Sequence, residues 1–114
     1  MKVSVAELME KLPGAVSEKW PMGERFTLAL AHGSMSVELY APVGTDPQSP
    51  HSQDELYFIH SGTGMMILAG DSLSFAPGDC FFVAAGVEHR FESFSPDFST
   101  WVVFWGPEGG ESAT

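Results

Sequence analysis

The chain has 114 residues, of which 44% are hydrophobic and 18% charged, and its formal net charge is −10. This length fits one domain spanning residues 1–114, and the hydrophobic content excludes disorder driven by charge. The acidic balance excludes nucleic acid as a partner, the lack of an apolar run of about 18 residues excludes a membrane helix, and the single cysteine, Cys80, favours the cytoplasm.

The first predicted element is a short amphipathic helix over residues 4–12. Ser4 and Glu7 have the spacing of a capping box, in which each side chain accepts a hydrogen bond from an unpaired backbone N–H group of the first turn. Apolar residues then follow at helical spacing, and Pro13 ends the pattern. The sequence therefore predicts a helical N-terminal extension over about residues 1–14.

Helical periodicity does not return after residue 14, and short strands separated by Gly and Pro are predicted instead. The predicted strands are 26–31, 35–40, 56–60, 65–68, 72–75, 80–83, 89–93 and 100–105. Many short strands at even spacing are typical of an all-β sandwich or antiparallel barrel. Cys80 lies within the apolar run 80–83, so we expect it to be a small buried side chain.

The stretch 49–59 is the first that could carry chemistry. Alternate residues of an extended chain share a face. One face of this stretch would carry Ser49, His51, Gln53, Glu55, Tyr57 and Ile59. On an ideal strand His51 and Glu55 would lie about 13 Å apart, so sharing one ion requires a bend, or a strand that begins near Asp54. Pro47 and Pro50 favour such irregularity, and the alternative is a polar, solvated strand entry.

A second stretch, 78–89, contains a turn, an apolar strand, another turn and a histidine. Together the two stretches resemble the paired motifs of the cupin superfamily. The first cupin motif contains two histidines, a glutamate and a glycine. Glu55 and Gly62 match the last two at full spacing, His51 occupies the position of the second histidine, and Ser49 occupies that of the first.

In the second motif Gly78, Gly86 and His89 match at full spacing, whereas Ala84 replaces a proline and Ser93 an asparagine. The resemblance covers about residues 24–106, and the sequence of this region is also similar to that of small, single-domain bacterial cupins. It implies a small jelly-roll barrel that holds a metal, without implying a substrate.

Carried over to this chain, the resemblance makes His51, Glu55 and His89 the metal ligands. Ser49 leaves the usual set of four one ligand short, and either the amide oxygen of Gln53, water or substrate would fill that position. Two imidazoles and a carboxylate with open positions suit one divalent transition metal, such as Fe, Mn, Ni or Zn.

Aromatic residues at alternating positions of the predicted strands complete the expected pocket. We expect most of them to pack in the core, and we place Ser49, Tyr57, Phe91 and Trp101 in a substrate pocket beside the metal ligands. A small barrel is largely filled by its own side chains, so this pocket would take a small organic molecule.

Two classes of function follow. One is a metal-dependent enzyme, resembling a dioxygenase, an isomerase or a decarboxylase, that acts on a small organic substrate; the other is a non-catalytic binding or sensing module, with or without metal. We also expect a homodimer, because the apolar segment 26–31 would be a poor edge strand to leave in water.

Overall fold

The strands pair into two antiparallel sheets in the computed structural model, which describes residues 1–112. The elements are α1 (Val5–Met9), β1 (Phe26–His32), β2 (Met35–Tyr40), β3 (Asp54–Ser61), β4 (Gly64–Leu68), β5 (Asp71–Phe75), β6 (Cys80–Val83), β7 (His89–Glu92) and β8 (Ser99–Trp105). The larger sheet has the order β1-β2-β8-β3-β6, and the smaller has the order β5-β4-β7.

This architecture confirms the predicted all-β jelly roll with one short helix. Each predicted strand is present, and each observed end lies within two residues of the predicted one. The predicted domain, residues 1–114, includes residues 113–114, which lie outside the described part of the chain.

The helix is shorter than the predicted 4–12. Ser4 caps it as expected, since its side chain accepts a hydrogen bond from the Glu7 N–H at 3.2 Å. The N–H groups of Lys11 and Leu12 bond to carbonyls three residues earlier, because the residue before Pro13 is disfavoured in the α conformation. Within residues 1–112, no helix is long and apolar enough to cross a membrane.

The core lies between the two sheets and is built mainly from aromatic rings. Phe91 is at its centre, with ring centroids 4.7 Å from Phe98, 5.0 Å from Tyr57 and 5.5 Å from Phe75. These rings come from both sheets and from the loop before β8. The buried aromatic layer therefore fixes how the two sheets face each other.

Two predicted orientations are wrong. Trp101 points away from the core, since the buried neighbours in β8 are Thr100 and Val102, whereas Trp101 pairs with Phe58, which is exposed. Cys80 is exposed as well, because it lies opposite Phe58 on the same outer face. Strands β6 and β8 are apolar on both faces, so the alternation of polar and apolar residues does not indicate which face turns inward.

Candidate metal centre

Three side chains from separate parts of the chain meet between the sheets. Glu55 is the second residue of β3, His89 is the first of β7, and His51 lies in the irregular segment just before β3. One ligand atom from each lies within 4.8 Å of the other two. The Nε2 of His89 is 2.9 Å from Oε1 of Glu55, and the Nε2 of His51 is 4.0 Å from Oε2 of the same carboxylate.

Backbone contacts bring the two predicted motifs together. Strand β3 begins at Asp54, which is the condition under which His51 and Glu55 can share one ion. His51 therefore lies outside the extended strand that would hold it away from Glu55. The His51 carbonyl accepts a hydrogen bond from the Gly86 N–H at 2.8 Å, and Asp54 Oδ1 accepts one from the Ala85 N–H at 2.9 Å. The turn before His89 is thereby tied to the segment that carries His51.

The ring of His89 is oriented by the backbone. Its Nδ1 donates to the Val87 carbonyl at 2.9 Å, since a carbonyl can only accept, and Nε2 therefore faces Glu55. Burial lowers the pKa of His89, but the hydrogen bonds to Glu55 and the Val87 carbonyl, with the charges of Glu55 and Asp46, outweigh it and leave this pKa raised. Without a metal, this imidazole therefore keeps its second proton to a higher pH than an ordinary histidine does.

Glu55 has the feature that best fits a bound cation. It is 1% exposed, and its Oε2 is the only buried side-chain oxygen or nitrogen of the described residues without a hydrogen-bond partner. An unpaired buried carboxylate oxygen is costly, whereas a metal ion would satisfy it. Burial lowers the pKa of nearby His51 more than the Glu55 charge raises it, so His51 favours the neutral form that binds metal.

Gln48 is a site residue that the sequence patterns did not identify. Its Oε1 lies 3.2 Å from Nε2 of His51 and accepts a hydrogen bond from the Tyr57 hydroxyl at 3.1 Å. Asp46, which is buried, accepts from the Gln48 Nε2 at 2.7 Å and so directs the amide oxygen toward His51. A fourth donor atom, the side-chain amide oxygen of Gln48, is thus present beside the three predicted ligands.

The structure places Gln53 and Ser49 differently from the prediction. The Gln53 Nε2 donates to the carbonyls of Ser34 at 3.1 Å and Gly106 at 2.9 Å, so this amide joins the ends of other segments. Ser49 is exposed, and its hydroxyl oxygen lies 3.5 Å from the Lys19 ammonium. The amide in hydrogen-bond contact with a predicted ligand, His51, is that of Gln48.

A cavity of about 570 Å³ opens beside His51 on the inner face of the larger sheet. Its wall combines rings with polar groups, among them Trp20, Phe26, Glu38, Tyr40, Gln48 and Phe104. Of the predicted pocket residues, Tyr57 lies at the metal centre, with its hydroxyl 3.0 Å from Nε2 of His89. Phe91 belongs to the core, and Trp101 faces outward.

The other two histidines and Arg90 lie on the surface. His60 and His32 are exposed at the ends of their strands. Arg90 is exposed and forms an ion pair with Glu92 at 2.5 Å, which is typical of a surface pair of small energetic effect. None of these groups contacts the candidate metal centre.

Two antiparallel sheets around a His-Glu-His cluster that could hold a metal ion define a small type of β-barrel. The profile of the Cupin domain family matches residues 36–105, and the chain belongs to this family. An uncharacterised protein of Streptomyces coelicolor is 43% identical over 81 residues, which cover 69% of this chain and 77% of that protein.

Solved structures show the same fold. A cupin-2 domain protein of Shewanella frigidimarina aligns with a TM-score of 0.66 at 12% identity, covering 91% of this chain and 94% of that one. A Neisseria meningitidis protein also aligns with a TM-score of 0.66, at 18% identity, over 93% of this chain and 100% of that one. At these identities the likeness concerns the fold.

Proposed function

We propose that the protein is a metal-dependent cupin enzyme that acts on a small organic substrate held in the cavity beside His51. Its metal would be one divalent transition ion, such as Fe, Mn, Ni or Zn, held by His51, Glu55 and His89. The side-chain amide oxygen of Gln48 would complete the set where many cupins have a further imidazole. Reactions of the dioxygenase, isomerase or decarboxylase type fit such a centre.

The observation that carries this proposal is the unpaired oxygen of Glu55. Each other polar atom around it has a partner: His89 bonds to Val87 and Glu55, and the Gln48 amide bonds to Asp46, Tyr57 and His51. Oε2 of Glu55 alone has none, although it lies 4.0 Å from the Nε2 of His51. Glu55 and His51 would together hold a cation, which would satisfy the unpaired carboxylate oxygen and take the lone pair of the neutral imidazole.

The chain's own groups would orient substrate and exclude water. A bound ion would act as a Lewis acid on a substrate oxygen. The fully buried Tyr57 hydroxyl donates to Oε1 of Gln48 and lies 3.0 Å from Nε2 of His89, so it positions both side chains at the base of the site. Phe104 packs edge-on against His51, with ring centroids 4.9 Å apart, and limits the approach to the cavity side.

Metal binding tests the proposal directly. Untagged protein, stripped with a chelator and titrated with each of the four ions, should take up close to one equivalent of at least one of them. His89→Ala should reduce the content to below about a tenth of an equivalent, because it removes one of two imidazoles. His60→Ala is the matched control, since His60 is exposed and should leave binding unchanged. Wild-type protein that takes up none of the ions would contradict the proposal.

A non-catalytic binding or sensing module is the second candidate. It is favoured by Gln48, because a neutral amide oxygen at the position of an imidazole makes a weaker ligand set for transition metals. Oxygen consumption and product formation by the metal-loaded protein, tested with a panel of small acids and phenols, separate the two candidates. Binding without turnover across the panel supports the module.

We also propose a cytoplasmic location. The support is Cys80, a single exposed thiol without a disulfide, which is what a reducing compartment allows. Fractionation of cells that express the full chain would test this, and recovery with extracytoplasmic proteins would contradict it.

A further inference from the structure

Glu38 is a carboxyl group on the cavity wall that the proposed metal centre does not use. It lies in β2, where Ser36, Glu38 and Tyr40 alternate on one face and all three line the cavity. In the register of the larger sheet Glu38 lies opposite Val102, which in turn lies opposite Tyr57 of the metal centre. Glu38 is therefore two strands away from the metal centre, on the same inner face.

The side chain of Glu38 is half-buried and without a protein partner. It makes no hydrogen bond and no ion pair with any residue in the described part of the chain. The lysine that lines the cavity, Lys19, is directed toward the Ser49 hydroxyl at 3.5 Å. The Glu38 oxygens are not among the buried unpaired atoms, so this carboxyl group opens into the cavity with no protein group to compete for it, and a ligand held there can reach it.

The size of the cavity and its lining residues indicate the size of a ligand that fits there. Strand spacing of about 4.8 Å and a rise of about 3.3 Å per residue put the Cα atoms of Glu38 and Glu55 about 12 Å apart. With both side chains reaching inward, the gap fits a molecule the size of one substituted ring. Trp20, Phe26 and Phe104 supply apolar and aromatic walls for its body.

The charges around the cavity select the group that faces Glu38. Glu24 and Glu38 both line it, so a carboxylate or phosphate on this side of the ligand would be repelled. An O–H or N–H donor would satisfy the carboxyl oxygens, and a protonated amine would also be attracted by the aromatic walls. Burial, and then the charge of Glu55, raise the pKa of Glu38, in keeping with a carboxyl group that lacks a cationic partner in the protein.

We propose that Glu38 is a ligand-binding residue that selects small, ring-sized molecules with a hydroxyl or amino donor at the end remote from the metal centre. This inference rests on the proposed function, because it takes the cavity to be the substrate site. It names the chemical class that the cavity accepts and the side chain that discriminates.

Three ring-sized probes of similar shape test the inference by calorimetry: benzylamine, benzyl alcohol and benzoate. Glu38→Gln should weaken benzylamine about ten- to hundredfold, since it removes the charge that pairs with the ammonium, while benzyl alcohol changes less because an acceptor oxygen remains. Glu38→Met should weaken both donors and leave benzoate unchanged or tighter. Comparing variant with wild type cancels any contribution common to both, such as coordination of a probe to the metal.

Glu18→Gln is the matched control, because it removes the same charge from an exposed position outside the cavity. Two results overturn the inference: donor affinities in Glu38→Met equal to those of wild type, or no binding of either donor by wild type at millimolar concentration. Metal content measured in the same samples separates the two proposals. Wild-type protein without metal uptake contradicts the proposed function, whereas metal uptake with unchanged donor affinities overturns only the role of Glu38.

Discussion

The amide of Gln48 shows how one side chain can be fixed by its neighbours. Asp46 accepts from the Gln48 backbone N–H at 3.2 Å and from its side-chain Nε2 at 2.7 Å, and also from the Phe91 N–H at 2.9 Å and the Tyr40 hydroxyl. Because a carboxylate only accepts, the amide nitrogen must face Asp46 and the amide oxygen must face the metal centre.

Replacing Gln48 should therefore weaken metal binding. We expect Gln48→Ala to lower the affinity about ten- to hundredfold, since it removes an oxygen donor that contacts both His51 and Tyr57. Competition with a chromogenic chelator measures this. Gln53→Ala is the control, because that amide bonds to backbone carbonyls of other segments, and an equal or larger loss there would restore Gln53 as the ligand.

Metal binding should also compete with a proton on His89. The raised pKa of His89 means that Nε2 remains protonated to a higher pH than an ordinary histidine, and the ion needs that lone pair. Affinity should rise about tenfold per pH unit below this pKa and level off above it, while the lowered pKa of His51 adds no competition near neutrality. Competition titrations between about pH 5.5 and about pH 8.5 measure the slope, and a flat profile would contradict the assignment.

The sequence places His51, Glu55 and His89 at this site through the resemblance to the cupin motifs, and Tyr57 through the alternation of faces. It does not place Gln48 there, because the segment 41–53 is irregular, and there the alternation of faces no longer tells which side chain turns inward. Only the contacts of Asp46 distinguish Gln48 from its neighbour Ser49.

At the scale of the strands, the predictable part of the fold was where strands begin and end. Gly and Pro between apolar runs place these ends, since they supply the backbone conformations that turns need. Orientation was predicted for β3, where the face that carries Glu55, Tyr57 and Ile59 is the buried one. It was not predictable for β8, whose sequence from Thr100 to Trp105 is apolar on both faces.

The turn between β3 and β4 gives a test of close packing. Gly62 has φ +86°, and a Cβ added there would lie 2.6 Å from the Phe98 Cα. Gly70, in the next turn, has φ +88° but nothing within 4 Å of an added Cβ. Both alanine substitutions carry the same backbone strain, so Gly62→Ala should lower the free energy of unfolding by about 1–3 kcal/mol more than Gly70→Ala. Urea unfolding measures the difference, and equal losses would show that the Phe98 backbone can yield.

At the scale of the whole molecule, the outer face of the larger sheet is unusually apolar. Two rows cross four strands each. They are Val37, Val103, Leu56 and Phe82 in one, and Leu39, Trp101, Phe58 and Cys80 in the other. The helix α1 packs on β2, where Leu39 is buried, but Phe58 and Phe82 remain 43% and 54% exposed. Neither row contains a charged side chain, although the chain carries −10.

We propose that this face joins two copies into a homodimer. A second copy is the occupant that these charges favour, because a twofold axis through the face brings two neutral surfaces together and keeps the acidic surfaces apart. Sedimentation at micromolar concentration should show twice 12.3 kDa. Phe58→Glu should shift the protein to monomer, whereas Leu73→Glu, an equally exposed apolar position on the smaller sheet, should not. Reaction of Cys80 with a thiol reagent should slow in the dimer, and a wild-type monomer would contradict the interface.

The contact between His89 and Glu55 also links the two sheets. Glu55 belongs to the larger sheet and His89 to the smaller, and the two side chains meet 2.9 Å apart. An ion bound there would cross-link the two halves of the sandwich, so opening the barrel at this end would require breaking metal–ligand bonds as well as separating packed rings. Amide hydrogens of β3 and β7 would then exchange with solvent together, slowly in the loaded protein and faster after chelation. Metal binding would thus set how often this end of the barrel opens.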